Sequence, residues 1–79
     1  MTNNQRKAYI KRSYILIKNV SERRRLKESE CHVFRKRILQ LINEDLPDLE
    51  KNYLFKFIYK RKLLSLYIDL ELYNNGGKM

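Results

Sequence analysis

Hydrophobic and polar residues alternate over the last third of the chain. Leu64, Leu66, Ile68, Leu70 and Leu72 interleave with Ser65, Tyr67, Asp69 and Glu71. A period of two puts one set on each face of an extended chain, so this run predicts a half-buried β-strand. Just upstream, Tyr53, Phe55, Phe57 and Tyr59 interleave with Leu54, Lys56, Ile58 and Lys60, a run rich in strand formers. The charged triplet Lys60-Arg61-Lys62 lies between the two runs and reads as the tip of a β-hairpin, although it lacks Asn-Gly or Asp-Gly. A loop of two or four residues would put the aromatic set on the same face as the Leu/Ile ladder. A loop of odd length would bring Lys56 and Lys60 onto the buried face, so the pattern favours the even loop.

The middle of the chain carries a different period. Cys31, Phe34, Ile38, Leu41 and Ile42 fall on one stripe at helical spacing, with Leu39 beside it. Ser29 is the expected N-cap, and Glu28 and Glu30 suit a helix start. Ser21 is the competing cap, which would extend the helix back through Arg23–Arg25. Pro47 is expected to end the helix, and Asp45 to cap a further single turn through Glu50.

The first element, Ala8–Lys18, is rich in strand formers, yet Ile10, Tyr14, Ile17 and Val20 also fit a helical stripe. A strand is expected here, because three strands support a sheet better than a lone hairpin does. The expected fold is therefore α+β: a small β-α-β-β domain, with a three-stranded, mainly antiparallel sheet and one helix packed on one face. Its other face would stay open to solvent or a partner. Residues 1–79 read as a single domain, with 1–6 and 74–79 as flexible tails.

Charge then changes the picture. The chain of 79 residues has a formal net charge of +9. Residues 1–37 hold twelve Lys/Arg against three acids, whereas residues 38–79 hold six of each, so the whole excess sits in the first half. A one-sided positive field suits a polyanion: nucleic acid or an acidic protein surface. No membrane is expected as partner, because the helix's apolar stripe is needed to cover the sheet and is not free to insert. A chain this short buries only part of its surface, and a homodimer or larger partner would help it. Cys31 is the only cysteine, which rules out an internal disulfide and fits a reducing compartment. With no signal-peptide pattern and no membrane-length apolar run, the expected location is intracellular, in cytoplasm, nucleoid or nucleus. Asn19-Val20-Ser21 reads as a chance glycosylation triplet. The richness in Lys, Asn, Tyr and Ile suggests an AT-rich viral or mobile-element genome.

The candidate binding residues are the basic clusters Arg6-Lys7, Lys11-Arg12, Arg23-Arg24-Arg25-Lys27, Arg35-Lys36-Arg37 and Lys60-Arg61-Lys62. Lysine and arginine neutralise phosphates and release counterions. Tyr9, Tyr14 and Tyr67 lie among them, with Tyr59, and aromatic faces stack on unpaired bases. An ordinary solvated surface is the competing account, but such surfaces usually mix both signs. At helical spacing Arg35 and Arg37 fall on opposite flanks of the apolar stripe, and Lys36 points away. Cys31-His32 is the only soft-ligand pair, too few for a metal site, and no cofactor motif occurs. Asp69 and Glu71 would share a strand face and meet Lys56 across the hairpin, and the acidic stretch Asn43–Glu50 reads as a solvated loop.

The expected function is that of a small, basic, non-enzymatic nucleic-acid-binding protein, contacting phosphates through Arg/Lys and bases through Tyr. One alternative is a protein-interaction module, such as a small inhibitor or assembly subunit docking on an acidic partner. Another is a small ribonuclease toxin, with His32 and Arg35 or Lys36 as its candidates.

Overall fold

The computed structural model describes residues 2–76, excluding the side chains of 73–76; Met1 and the expected tail at 77–79 lie outside the described residues. No strand forms among them. The described residues form three α-helices, α1 (Asn3–Arg23), α2 (Glu28–Gln40) and α3 (Tyr53–Gly76). Between α2 and α3 stand a π-helical turn, Leu41–Asp45, and a 3-10 turn, Pro47–Leu49. The expected β-α-β-β sheet is thus replaced by a three-helix bundle, elongated at 41 × 16 × 16 Å. α1 and α3 run in the same direction, as Phe55 lies under Lys7 and Lys11, and Lys62 further along lies over Tyr14.

α1 takes the helical option that Ile10, Tyr14, Ile17 and Val20 offered. Ile10 and Ile17 are buried, and Tyr14 and Val20 pack against the core. Residues 3–6, expected as a tail, form its first turn. The Thr2 hydroxyl accepts from the Gln5 N–H at 3.2 Å, and the Gln5 side-chain oxygen accepts from the Thr2 N–H at 2.8 Å. This reciprocal pair satisfies two donors that a helix start leaves open.

α2 forms where its stripe places it. Cys31 and Ile38 are buried, Phe34 is half-buried, and Leu41 and Ile42 continue the buried face into the π turn. Its start differs from expectation: Lys27, not Ser29, is the N-cap residue, and Glu30 reaches back to accept from the Lys27 N–H at 3.1 Å. Ser21 belongs to the last turn of α1, where its hydroxyl donates to the Lys18 carbonyl at 2.8 Å. The Arg24 guanidinium grips Glu30 with bonds of 3.1 and 2.5 Å. Glu30 therefore fixes both the corner and the helix start.

These bonds hold the Glu30 carboxyl well below its ordinary pKa of 4.5, at about 2, first through Arg24 and then through the Lys27 N–H. The folded state favours the ionised form, so the contribution is complete above about pH 4.5 and fades as pH falls toward about 2. Glu30→Gln is expected to flatten the loss of stability within that window, read by denaturant titration at a series of pH values.

Pro47 does not follow an unbroken helix. The π turn inserts one residue, the Leu46 N–H donates to the Leu41 carbonyl at 3.1 Å, and Leu41, Ile42 and Leu46 all reach the core. Pro47 then opens the 3-10 turn, with Leu46 rather than Asp45 at its N-cap, and Leu49 is fully buried. The acidic stretch is thus a packed connector, not a solvated loop. Asp48 forms an ion pair with Arg6, and the Asn52 side-chain oxygen accepts from Lys7 Nζ at 3.1 Å, which ties the start of α1 to the start of α3.

α3 replaces the hairpin. Leu63, Leu66 and Leu70 are buried, and Phe55, Tyr59 and Tyr67 pack around them. Leu64, Ile68 and Leu72, expected to share the buried ladder, face outward. The expected tip, Lys60-Arg61-Lys62, lies within the helix. The tail expected from residue 74 begins as helix through Gly76.

Candidate functional site

Each turn of α1 presents a new side chain to the seam with α3. Lys7, Lys11, Tyr14 and Lys18 recur at helical spacing and line that edge, and Phe55, Tyr59 and Lys62 recur likewise on α3. Phe55 and Tyr59 stack at 4.5 Å between ring centroids, and Tyr14 meets Tyr59 edge-on at 6.1 Å. The lysines sit on these rings. Lys7 and Lys11 lie 5.8 Å from the Phe55 centroid, Lys18 lies 5.9 Å from Tyr14, and Lys62 lies 5.0 Å from Tyr59 and 5.7 Å from Tyr14.

A ring face attracts an ammonium through its quadrupole, by about 0.5–1 kcal/mol at exposed sites. It positions the charge without neutralising it, which a carboxylate would do. Among the described residues the ion pairs are Arg6–Asp48 and Arg24–Glu30, so none of the four lysines is in one. Lys11, Lys18 and Lys62 are exposed, and Lys7 is half-buried. From Lys7 to Lys18 the row spans about 16 Å at the helical rise.

At Tyr14, Lys18 and Lys62, which line its near end, the seam widens into a hollow of about 410 Å³. Leu26, Leu66 and Leu70 form its apolar floor, and Ser21, Ser65, Glu22 and Asp69 line the far end. The seam is therefore cationic along its first two-thirds and acidic at its end. A second hollow, of about 360 Å³, lies on α3 beside Glu50, Tyr53, Lys56, Phe57 and Lys60.

The structure scatters the remaining basic residues. Arg6 and Arg24 are occupied by Asp48 and Glu30. Arg12 lies on the outward side of α1, and Arg23, Arg25 and Lys27 surround the α1–α2 corner, all exposed. On α2, Lys36 is exposed and Arg35 and Arg37 are half-buried on the two flanks. Arg37 covers the Tyr9 ring at 4.8 Å, and Arg35 Nε is buried without a hydrogen-bond partner. Lys60 and Arg61 face away from α1. The three candidate tyrosines are half-buried: Tyr9 under Arg37, Tyr14 under Lys18 and Lys62, and Tyr67 against the core. The faces of Tyr9 and Tyr14 thus already carry cations.

Sequence reasoning left Lys18 and Phe55 out of the site. The signal that finds them is the recurrence Lys7, Lys11, Tyr14, Lys18, visible once Ala8–Lys18 is read as a helix. Among the other candidates, Cys31 is buried in the core, and burial pushes its thiol pKa above the ordinary value. His32 is exposed and lines neither of these two hollows. Asp69 and Glu71 sit on different sides of α3 rather than on one strand face. No group of three metal-binding side chains gathers among the described residues, and no helix there is long and apolar enough to cross a membrane.

Comparison with protein-family models, with curated proteins and with solved structures returns no match.

Proposed function

We propose that the α1–α3 seam binds the phosphate backbone of nucleic acid without reading base sequence. The observation that carries this reading is the row Lys7, Lys11, Lys18 and Lys62, each held on an aromatic face and none neutralised by an acid. Phosphates along one strand recur every ~3.4 Å of helix axis, so a row of about 16 Å is long enough to meet several in succession. The net charge of +9 adds the long-range attraction that speeds encounter. The rings serve to place lysines, so the reading rests on phosphate contact and no longer on base stacking.

Fluorescence anisotropy with labelled oligonucleotides across a salt series tests it. Four phosphate contacts give a log–log salt slope of about −3.6 on duplex DNA and about −2.8 on single strands. Different base sequences should bind alike. No binding at low salt, or a slope shallower than about −1, would overturn the proposal.

A further inference from the structure

The hollow at the end of the lysine seam has two helical walls, and both carry the same order of groups. On α1 the order is Lys18, Ser21, Glu22, and on α3 it is Lys62, Ser65, Asp69. The two helices run in the same direction, so both lysines mark one end and both carboxylates the other. All four charged side chains are exposed, and none of them enters an ion pair among the described residues. Leu26, Leu66 and Leu70 are buried beneath them as the floor. At the helical rise, cation and acid stand about 6 Å apart along α1 and about 10 Å apart along α3.

This arrangement narrows the choice of occupant. A simple anion is held at one end and repelled at the other, and a simple cation meets the reverse. A ligand that suits both ends carries an anion and a hydrogen-bond donor several ångströms apart, joined by a body that tolerates an apolar floor. A nucleotide with an amino-bearing base has that layout: a phosphate, then a flat ring, then an exocyclic amino group. Carboxylates accept from such groups, as they do from cytosine N4. Thymine and uracil carry a carbonyl oxygen in that place, which a carboxylate repels. The volume of about 410 Å³ lies in the range of small-ligand sites.

Position adds a second argument. The row Lys7, Lys11, Lys18 leads into the hollow, and Lys62 stands at its mouth. Beyond them the carboxylates turn the next phosphate away, so a strand followed along the lysines has to end there. A base that enters between two helices leaves the stack, which costs least where it is unpaired.

We infer that the hollow receives the end nucleotide of a single strand, with its phosphate on Lys18 and Lys62 and the amino group of cytosine or adenine on Glu22 or Asp69. The inference rests on the reading of the seam as a phosphate track. The seam itself stays blind to base sequence; the hollow discriminates one base, and only at the end of the strand.

The test is competition binding of the full chain with single-stranded oligonucleotides that differ in one nucleotide. Cytosine and uracil are the pair to exchange, because they match in size and differ in the amino group. Cytosine in place of uracil at one of the two ends is expected to tighten binding about tenfold. The same exchange in the middle should leave affinity unchanged. Glu22→Gln/Asp69→Asn is expected to bring the two oligonucleotides within about twofold of each other and to keep the salt slope, since the lysines are untouched. Both positions are exposed and outside the ion pairs, so the variant should keep its helical circular dichroism. If it does not, Ser65→Trp, which fills the hollow from an exposed position, serves the same purpose. Salt-dependent binding with no preference at either end would overturn the inference and leave the seam reading intact. No binding of any oligonucleotide, with cytidine monophosphate still preferred over uridine monophosphate, would overturn the seam reading and the strand-end assignment together, and leave a site for free nucleotides.

Discussion

Leu63→Ala is expected to lower the unfolding free energy by about 2–5 kcal/mol, and Leu64→Ala by less than about 1 kcal/mol. The two residues are neighbours of the same type, and only the helix separates them. Leu63 is fully buried against α1 and α2, so truncation leaves a cavity that a small bundle cannot close. Leu64 is 39% exposed on the opposite side, and its loss removes little buried surface within one chain. A domain of this length has a total stability on the order of 4–12 kcal/mol, so the first variant loses a large fraction of it. Urea titration of the two variants makes the comparison. Equal losses, or a larger loss at Leu64, would restore the alternating strand.

The variant Lys11→Glu/Lys18→Glu/Lys62→Glu is expected to weaken nucleic-acid binding on the order of a hundredfold near physiological salt. The estimate follows from three lost phosphate contacts, each contributing about 0.9 to the salt slope. All three residues are exposed, so the bundle should survive. The control is Arg12→Glu/Arg25→Glu/Lys36→Glu, which reverses as many charges at exposed sites away from the seam. A loss below about tenfold there separates a located interface from attraction by net charge alone. Equal losses in the two variants would remove the seam from the account.

The middle helix was legible because one stripe, Cys31 to Ile42, carries one period and faces one core. α3 was not, and the reason is geometric. Residues two apart on a helix are separated by about 200°, so alternate positions fall on opposite sides of it. Leu66 and Leu70 point inward, while Leu64, Ile68 and Leu72 point outward. Because both sides are apolar, the helix imitates a ladder of period two. Two features count against the strand: Leu63 breaks the alternation beside Leu64, and no Gly or Pro occurs between Tyr53 and Tyr73 to turn a hairpin. The first element failed differently. Its helical stripe was visible, but the preference for a third strand depended on a hairpin that does not exist.

The candidate seam was legible in the sequence only as an excess of basic residues, not as a place. Charge bias pointed to α1 and α2, and Lys7, Lys11 and Tyr14 of α1 were among the candidates, whereas Lys18 was not. The partners from α3 follow only from tertiary packing, since Phe55 and Tyr59 bring the lysines into line. Grouping the basic residues by adjacency in sequence hid this. Neighbours such as Lys60, Arg61 and Lys62 diverge around a helix, whereas Lys7, Lys11 and Lys18 converge on one edge.

The most direct test of the central claim is an amide chemical-shift titration of the labelled protein with a short oligonucleotide of arbitrary sequence. The account predicts that the shifts concentrate on residues 7–18 and 55–62, fade together as salt rises, and spare residues 28–40. Shifts confined to the α1–α2 corner and α2, or spread evenly over every exposed lysine and arginine, would contradict it.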